Sequence, residues 1–182
     1  MSESMKGEFE VFKILRDCAM LGLAAFDIGK TEVQRFAQAN MEHADRLVLF
    51  NLVGHGRYGW QYRTYSGSKI PGKLGTNENW IDEQLWQIST IKRMRNSDTE
   101  STASADDVAE CLVTWFNGKG LEYLRTKGMS TLPIDPREIM VYNDDSSLYQ
   151  RRPVFDMTVL VPKMFTAETP KVVALEVETH PI

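Results

Sequence analysis

The chain has 182 residues, of which 42% are hydrophobic and 25% are charged. These ordinary globular values exclude a disordered tail, a collagen-like rod and a bundle of membrane helices, and the length suits one domain spanning 1–182. The formal net charge of -4 excludes the strongly basic field with which most free nucleic-acid-binding proteins neutralise phosphate.

Neither a membrane nor an oxidising compartment is expected for this chain. No run of residues reaches the ~18 consecutive apolar positions of a membrane span, and the acidic start is unlike a secretory signal. Cys18 and Cys111 lie far apart in apolar periodic segments, which excludes a disulfide framework and a cysteine-rich zinc site.

Two segments have the one-sided apolar spacing of helices. The first predicted helix covers 8–23, where apolar residues recur every three or four positions. The second covers 104–116, because Ser104 can cap it, Asp107 stands three residues later, and a stripe of apolar residues follows. This stripe consists of Val108, Cys111, Leu112 and Trp115. A shorter helical turn is expected over 121–127.

Strands are predicted wherever apolar and aromatic residues alternate or cluster. These segments are 46–53, 60–65, 80–92, 137–142 and 152–161, with a short strand or extended arm at 32–40 and a last strand at 172–177. The expected fold class is therefore α/β (α+β), a mostly antiparallel sheet with two main helices packed on one face. The strands 137–142 and 152–161 should form a hairpin with an acidic tip at 143–147.

The segment Gly54–Gly59 spells G-x-G-x-x-G after a predicted strand, which is the pattern of a dinucleotide-binding turn. Such a turn must open a helix, whereas Trp60–Tyr65 alternates like a second strand. We therefore expect a glycine-rich hairpin corner at Gly54–Gly59 that binds no dinucleotide.

Two polar stretches are predicted to be irregular. Ser66–Asn79 is rich in Gly, Ser, Asn and Lys, so it is expected to form a projecting loop. A link is expected over 162–170, between two prolines.

No combination of residues indicates catalysis, a cofactor or a metal. His43, His55 and His180 lack metal-ligand spacing to one another or to cysteine. The sequence contains no nucleophile elbow, phosphate loop or zincin motif, and its adjacent carboxylates fit a strand start, a helix start and a turn. The prediction is a protein that is not an enzyme.

A few basic and aromatic residues are candidates for an interface with a partner. Lys69 and Lys73 lie in the predicted loop, and Trp80 stands at its foot, where an aromatic side chain could anchor a contact. Arg93 and Arg95 lie in a basic cluster that follows the strand at 80–92. Such cations are most often simply solvated, but they could meet phosphate or an acidic partner.

The order of the elements resembles the neck or tail terminator proteins of tailed bacteriophages. The resemblance is densest between Trp80 and Val161, from the strand that begins NWIDEQLWQIST to the capped helix and the late strand RRPVFDMTV. The late strand carries the family's Arg-x-x-Phe-Asp-Met-Thr pattern in Arg152, Phe155, Asp156, Met157 and Thr158.

This resemblance implies a structural virion protein located in the neck or tail. It implies a homo-oligomer, a six-fold ring that caps the tail tube protein, contacts the head-side connector or adaptor proteins, and lets DNA pass through its lumen. Two other classes remain open: a small nucleic-acid-binding module, which needs its basic residues on one face, and a small hydrolase, which needs convergent groups in a pocket.

Overall fold

The structure is a computed structural model, and it describes residues 7–29, 31–36, 46–67, 71, 73–92, 103–142 and 152–170. Three predictions lie wholly or partly outside these residues: the strand at 172–177, the acidic tip at 143–147, and the second half of the segment 32–40.

The helices occur where the sequence predicts them. They are α1 (Glu8–Ala25), α2 (Ala105–Asn117) and α3 (Lys119–Thr126). At the start of α2, the backbone N–H of Asp107 donates to Ser104 Oγ at 3.1 Å, and the Ser104 N–H donates to Asp107 Oδ2 at 2.7 Å. The predicted cap is therefore a complete capping box, which satisfies two backbone donors that the helix leaves unpaired.

This capping box predicts an acid-sensitive contribution to stability. The backbone and side-chain hydrogen bonds from Ser104 hold the pKa of Asp107 below its ordinary value. A carboxyl group with a lowered folded-state pKa stabilises the fold above its unfolded pKa of about 4, and this stabilisation disappears as pH falls through the folded pKa. Ser104→Ala should lower the free energy of unfolding by about 1 kcal/mol at pH 7.

Urea unfolding of both proteins between pH 7 and pH 2 checks this expectation. The difference between them should shrink as the pH falls below about 4, because Asp107 is then protonated in both. An unchanged difference at the lowest pH would show that the carboxylate does not contribute.

Six strands form one sheet in the described part of the chain. They are β1 (Thr31–Arg35), β2 (Arg46–Gly67), β3 (Lys73–Lys92), β4 (Ser130–Thr131), β5 (Met140–Tyr142) and β6 (Arg152–Pro170). The order is β1-β2-β3-β6-β4, and β5 also pairs with β6. Only β1 and β2 pair in parallel, whereas all other described pairs are antiparallel.

The predicted α+β class is confirmed. Helices α1 and α2 pack on one face of the sheet and share a single buried cluster with it. The helices contribute Val11, Phe12, Leu15, Val108, Leu112 and Phe116, and the strands contribute Val48, Phe50, Trp86, Ile88, Phe155 and Met157.

The predicted hairpin corner at Gly54–Gly59 is wrong. Strand β2 runs without interruption from Arg46 to Gly67, and its register against β3 shifts twice, between Leu52 and Gly54 and between Tyr58 and Tyr62. The glycines mark β-bulges instead of a chain reversal, and Gly59 has the positive φ of 75° that such a bulge requires. The G-x-G-x-x-G motif thus lies within a strand and opens no helix.

The predicted loop at 66–79 is wrong at 66–67 and 73–79, which lie in strands, and the predicted link at 162–170 is also wrong. Lys73–Asn79 belongs to β3, and 162–170 belongs to β6. The two segments pair with each other, with Asn79 opposite Met164 and Gly75 opposite Glu168. The 3-10 turn Pro136–Glu138 is a smaller difference, because it leaves only Met140–Tyr142 of the predicted strand 137–142 in the sheet.

The three helices meet around the indole ring of Trp115. A Cβ atom on Gly22 of α1 would lie 2.6 Å from Trp115 Cγ, and one on Gly120 of α3 would lie 2.7 Å from its Cδ1. The thiol of Cys18 donates to the carbonyl oxygen of Gly120 at 3.5 Å. The absence of side chains on both glycines therefore allows the close approach of α1 and α3.

Gly22→Ala should lower the free energy of unfolding by about 1–3 kcal/mol, although alanine is the better helix former. The methyl group would overlap the indole ring, so the helices would have to move apart. Gly29→Ala is the matched control, because nothing lies within 4 Å of a Cβ atom there. Thermal or urea unfolding of the two variants should separate them, and equal stability would contradict the close contact.

Candidate assembly surface

Strands β2, β3 and β6 continue together past the helices. We call this part of the sheet the arm: Arg57–Gly67, Lys73–Asp82 and Val161–Pro170. Arg57, Asp82 and Val161 stand opposite one another at its base, and Val161 is the last β6 residue of the buried cluster. Nine residue steps along β3 give the arm a length of about 30 Å.

At the base of the arm, the face that carries the helices changes from apolar to charged. Trp86 donates from Nε1 to Gln84 Oε1 at 3.1 Å, and Gln84 donates from Nε2 to Asp82 Oδ2 at 2.8 Å. Two further side chains lie close to the Asp82 carboxylate. Lys163 Nζ is 3.9 Å from Oδ2, and His55 Nδ1 is 3.8 Å from Oδ1. This chain of polar groups satisfies the fully buried Gln84 and ends the core.

Farther out, this face of the arm carries paired charges. The guanidinium carbon of Arg57 lies 5.6 Å from the ring centroid of Trp80, and Arg63 forms an ion pair with Glu78. The Glu78 hydrogen bond and charge raise the pKa of Arg63 still further. These cations are already engaged within the arm, so they do not form a free basic stripe.

The two outer strands of the arm expose large aromatic side chains. Trp60 is 95% exposed, and it lies in the second bulge of β2 between Tyr58 and Tyr62. The other exposed aromatic residues, with 46–64% of their surface accessible, are Tyr58, Tyr62 and Tyr65 on β2 and Phe165 on β6. Tyrosine and tryptophan at this exposure are typical of protein–protein contact residues.

The arm also has open backbone edges. Strand β1 covers the outer edge of β2 only as far as Phe50, and β4 covers the outer edge of β6 only as far as Leu160. Beyond those points, no strand among the described residues pairs with either edge. Long open edges are templates for further strand pairing unless a partner covers them.

A groove of about 290 Å³ borders the open edge of β2 where β1 ends. Glu8 and Arg35, which form an ion pair, stand on one side of it, and residues 50–55 of β2 stand on the other. The groove leaves the edge accessible and brings no set of catalytic groups together.

The sequence-predicted interface residues have different surroundings. Trp80 was predicted at the foot of a loop, but it lies within strand β3 of the arm and is half-buried beneath Arg57. Lys73 lies 3.7 Å from the carboxylate of Glu168, within the arm. Lys69, Arg93 and Arg95 lie outside the described residues.

Trp60 is more exposed than Trp80, but it was not among the predicted contact residues. Its signal in the sequence is the run Tyr58-Gly-Trp-Gln-Tyr62, in which three aromatic residues alternate with small or polar ones. Alternation of this kind places aromatic rings together, but it does not tell whether that face is buried.

Helix α1 offers a second exposed apolar surface. Met20, Leu21 and Phe26 are 44%, 48% and 44% exposed at its C-terminal end. We call these three residues the α1 patch. It is smaller than the aromatic surface of the arm, and isolated exposed apolar residues are common in soluble proteins.

No group of three His, Cys, Asp or Glu side chains in the described part of the chain could hold a metal ion. None of the helices found there is both long and apolar enough to cross a membrane.

One protein-family model matches most of the chain. The model of a family described as E217 gateway protein gp29 matches residues 10–171, which run from α1 through the end of the arm. The chain belongs to this gateway protein family. A comparison with curated proteins finds no match.

The gateway family is a family of phage structural proteins of the head–tail junction. It bears out the prediction of a structural neck protein of a bacteriophage. The name of the family differs from the terminator name that the resemblance implied.

Proposed function

We propose that this gateway protein assembles into a ring at the junction of head and tail, where it caps the tail tube and docks it to the head-side connector. The ring is six-fold, and DNA passes through its lumen. The family supports the location, and the open-edged arm is the observation that supports self-assembly.

A ring needs heterologous contacts, in which one surface of each copy meets a different surface of its neighbour. The arm offers two such surfaces, because its β2 and β6 edges are chemically different and lie on opposite sides of β3. A two-fold dimer would instead use one self-complementary patch. The asymmetry of the arm thus favours a heterologous contact, which gives a ring when the rotation between copies closes.

The alternative of a nucleic-acid-binding module has less support. Such a module needs cations that are available to phosphate, whereas Arg63 and Lys73 are each within ion-pair distance of a carboxylate in the arm. A small hydrolase has no support from the groove beside β2, whose described lining contains one ion pair and no convergent nucleophile and base.

The experiment is to disable the gene in the phage and supply the chain in trans. If the protein caps and docks the tail, its absence should cause two defects: heads that are not joined to tails, and tail tubes of uneven length. Electron microscopy of the particles measures both. Uniform but unattached tails would contradict the capping role while keeping the docking role, and intact joined particles would contradict both.

The position and the ring are tested on the protein itself. Light scattering and particle images of the purified chain should show a closed ring. In complemented particles, a gold-labelled tag on the chain should mark the head–tail junction. A label elsewhere on the particle would overturn the proposed location.

A further inference from the structure

The two open edges of the arm run in the same direction. Strands β2 and β6 are both antiparallel to β3, so they are parallel to each other. In a ring with cyclic symmetry all arms point the same way, and the β2 edge of one copy then faces the β6 edge of the next in parallel orientation. Parallel pairing between them needs no change in the fold of either copy.

Hydrogen bonds identify which β6 backbone groups face this edge. The N–H of Leu132 donates to the carbonyl oxygen of Thr158 at 3.0 Å, on the side away from β3. Because backbone groups alternate sides along a strand, those of Met164 and Thr166 also face outward. Pro162 is two residues before Met164, so its backbone nitrogen also faces outward. An edge strand tolerates a residue without an N–H at such a position.

Exposed aromatic residues lie on the same two edges. Among the described residues of the arm, the large aromatic side chains that are 46% or more exposed belong to β2 and β6, whereas Trp80 on the central strand is half-buried. With 150–250 Å² for each aromatic side chain, the four on β2 expose roughly 500 Å² in total. That is more than half of the ~800 Å² that each partner contributes to a standard interface.

We propose that the outer edge of β2 in one copy pairs in parallel with the outer edge of β6 in a second copy of this chain, so that the arms of a ring form one continuous sheet. This inference rests on the ring of the proposed function and names its contact. Three strands from each of six copies make about 18 strands, and barrels of that size leave an aqueous channel.

We call the proposed contact between the β2 edge of one copy and the β6 edge of the next the seam. The first test removes one outward-facing backbone N–H from it. Met164→Pro deletes a donor that the β3 ladder does not use, and Met164→Ala is the matched control that shortens the same side chain and keeps the N–H. Rings should form with the alanine variant, whereas the proline variant should lose at least about tenfold in ring assembly, as expected for a lost buried hydrogen bond. Urea unfolding should show that both variants are folded.

The second test is independent of how proline affects folding. It uses three double variants, which combine Met164→Cys with Tyr58→Cys, Tyr62→Cys or Ser66→Cys. All four positions lie on one face of the arm. The three β2 positions cover the different registers in which neighbouring copies of a tilted barrel can pair. Within one copy, Tyr62 and Met164 both flank Asn79 and stand about 9.5 Å apart, which is beyond disulfide reach.

A disulfide in a double variant must therefore join two copies. The native Cys18 is fully buried, and burial raises its pKa to about 11, so it should not react; the single variants measure any background from the partly buried Cys111. We expect a ladder of cross-linked oligomers on a non-reducing gel for at least one double variant and for none of the single variants.

The outcomes separate this contact from the ring itself. Rings that form equally with Met164→Pro, together with no cross-linked ladder, would overturn the seam and leave the proposed function intact, with the α1 patch as the next surface to test. A ladder without rings would support the seam and count against ring closure. The absence of both rings and ladders from the unmodified and paired-cysteine chains would overturn both.

Discussion

Trp86→Ala is expected to lower the free energy of unfolding by about 3–5 kcal/mol. The indole is fully buried between the helices and the sheet, with its centroid 6.4 Å from that of Phe12 on α1 and 6.5 Å from that of Phe50 on β2. Its N–H also donates to the buried Gln84, which would lose a partner. The truncation therefore creates a cavity and leaves a buried acceptor unpaired.

Trp80→Ala is the matched control, six residues away on the same strand and face. Its ring is half-buried and contacts Arg57 at the surface of the arm, so its removal should cost less than about 1 kcal/mol. Urea denaturation with intrinsic fluorescence measures both variants. A similar loss of stability in the two would mean that the core does not end at Asp82 as the structure indicates.

The contrast between these two tryptophans shows which parts of the fold were predictable from the sequence. Trp86 and Ile88 alternate with polar residues because one face of their strand is buried, and this alternation predicts the strand correctly. Helix α2 was equally predictable, because its capping box and the spacing of its apolar residues both indicate the same helix. Local patterns report a strand or helix reliably when one face is buried and the other is solvated.

The arm was not predictable in the same way. Between Lys73 and Asn79 every residue of β3 except Leu74 is polar or small, so no alternation distinguishes the segment from a loop. The glycines at 54, 56 and 59 indicated a chain reversal, although bulges in a continuous strand use the same conformational freedom. The pairing of β3 with β6 joins segments far apart in the chain, and no local signal reports it.

Shortening the arm is expected to abolish joining of heads to tails while the chain stays folded. Residues 64–77 are replaced by Asn-Gly between Arg63 and Glu78, which are partners across the hairpin, so that a two-residue turn closes it. The buried cluster of helices and sheet is untouched, because its outermost sheet residues are Trp86 and Val161. The free energy of unfolding should therefore change little.

Infectious titre in the complementation assay should fall to that of phage without the protein, because the seam loses its outer half. A matched control replaces only 68–73 by Asn-Gly between Gly67 and Leu74, which are also partners, and keeps Tyr65 and Phe165 opposite their neighbours. The control should retain assembly. Full infectivity with the shorter arm would contradict a role of the arm in assembly and leave the α1 patch as the next surface to test.

The central position of β3 has a consequence for the order of events during synthesis. Its neighbour β2 precedes it in the chain, but its other neighbour, β6, follows only after α2 and α3 have been made. A nascent chain that has left the ribosome as far as α3 therefore displays β3 with one side unpaired, and such non-local pairing forms slowly. We expect chains truncated before β6 to aggregate, and translation pauses in this interval to lower the yield of native protein.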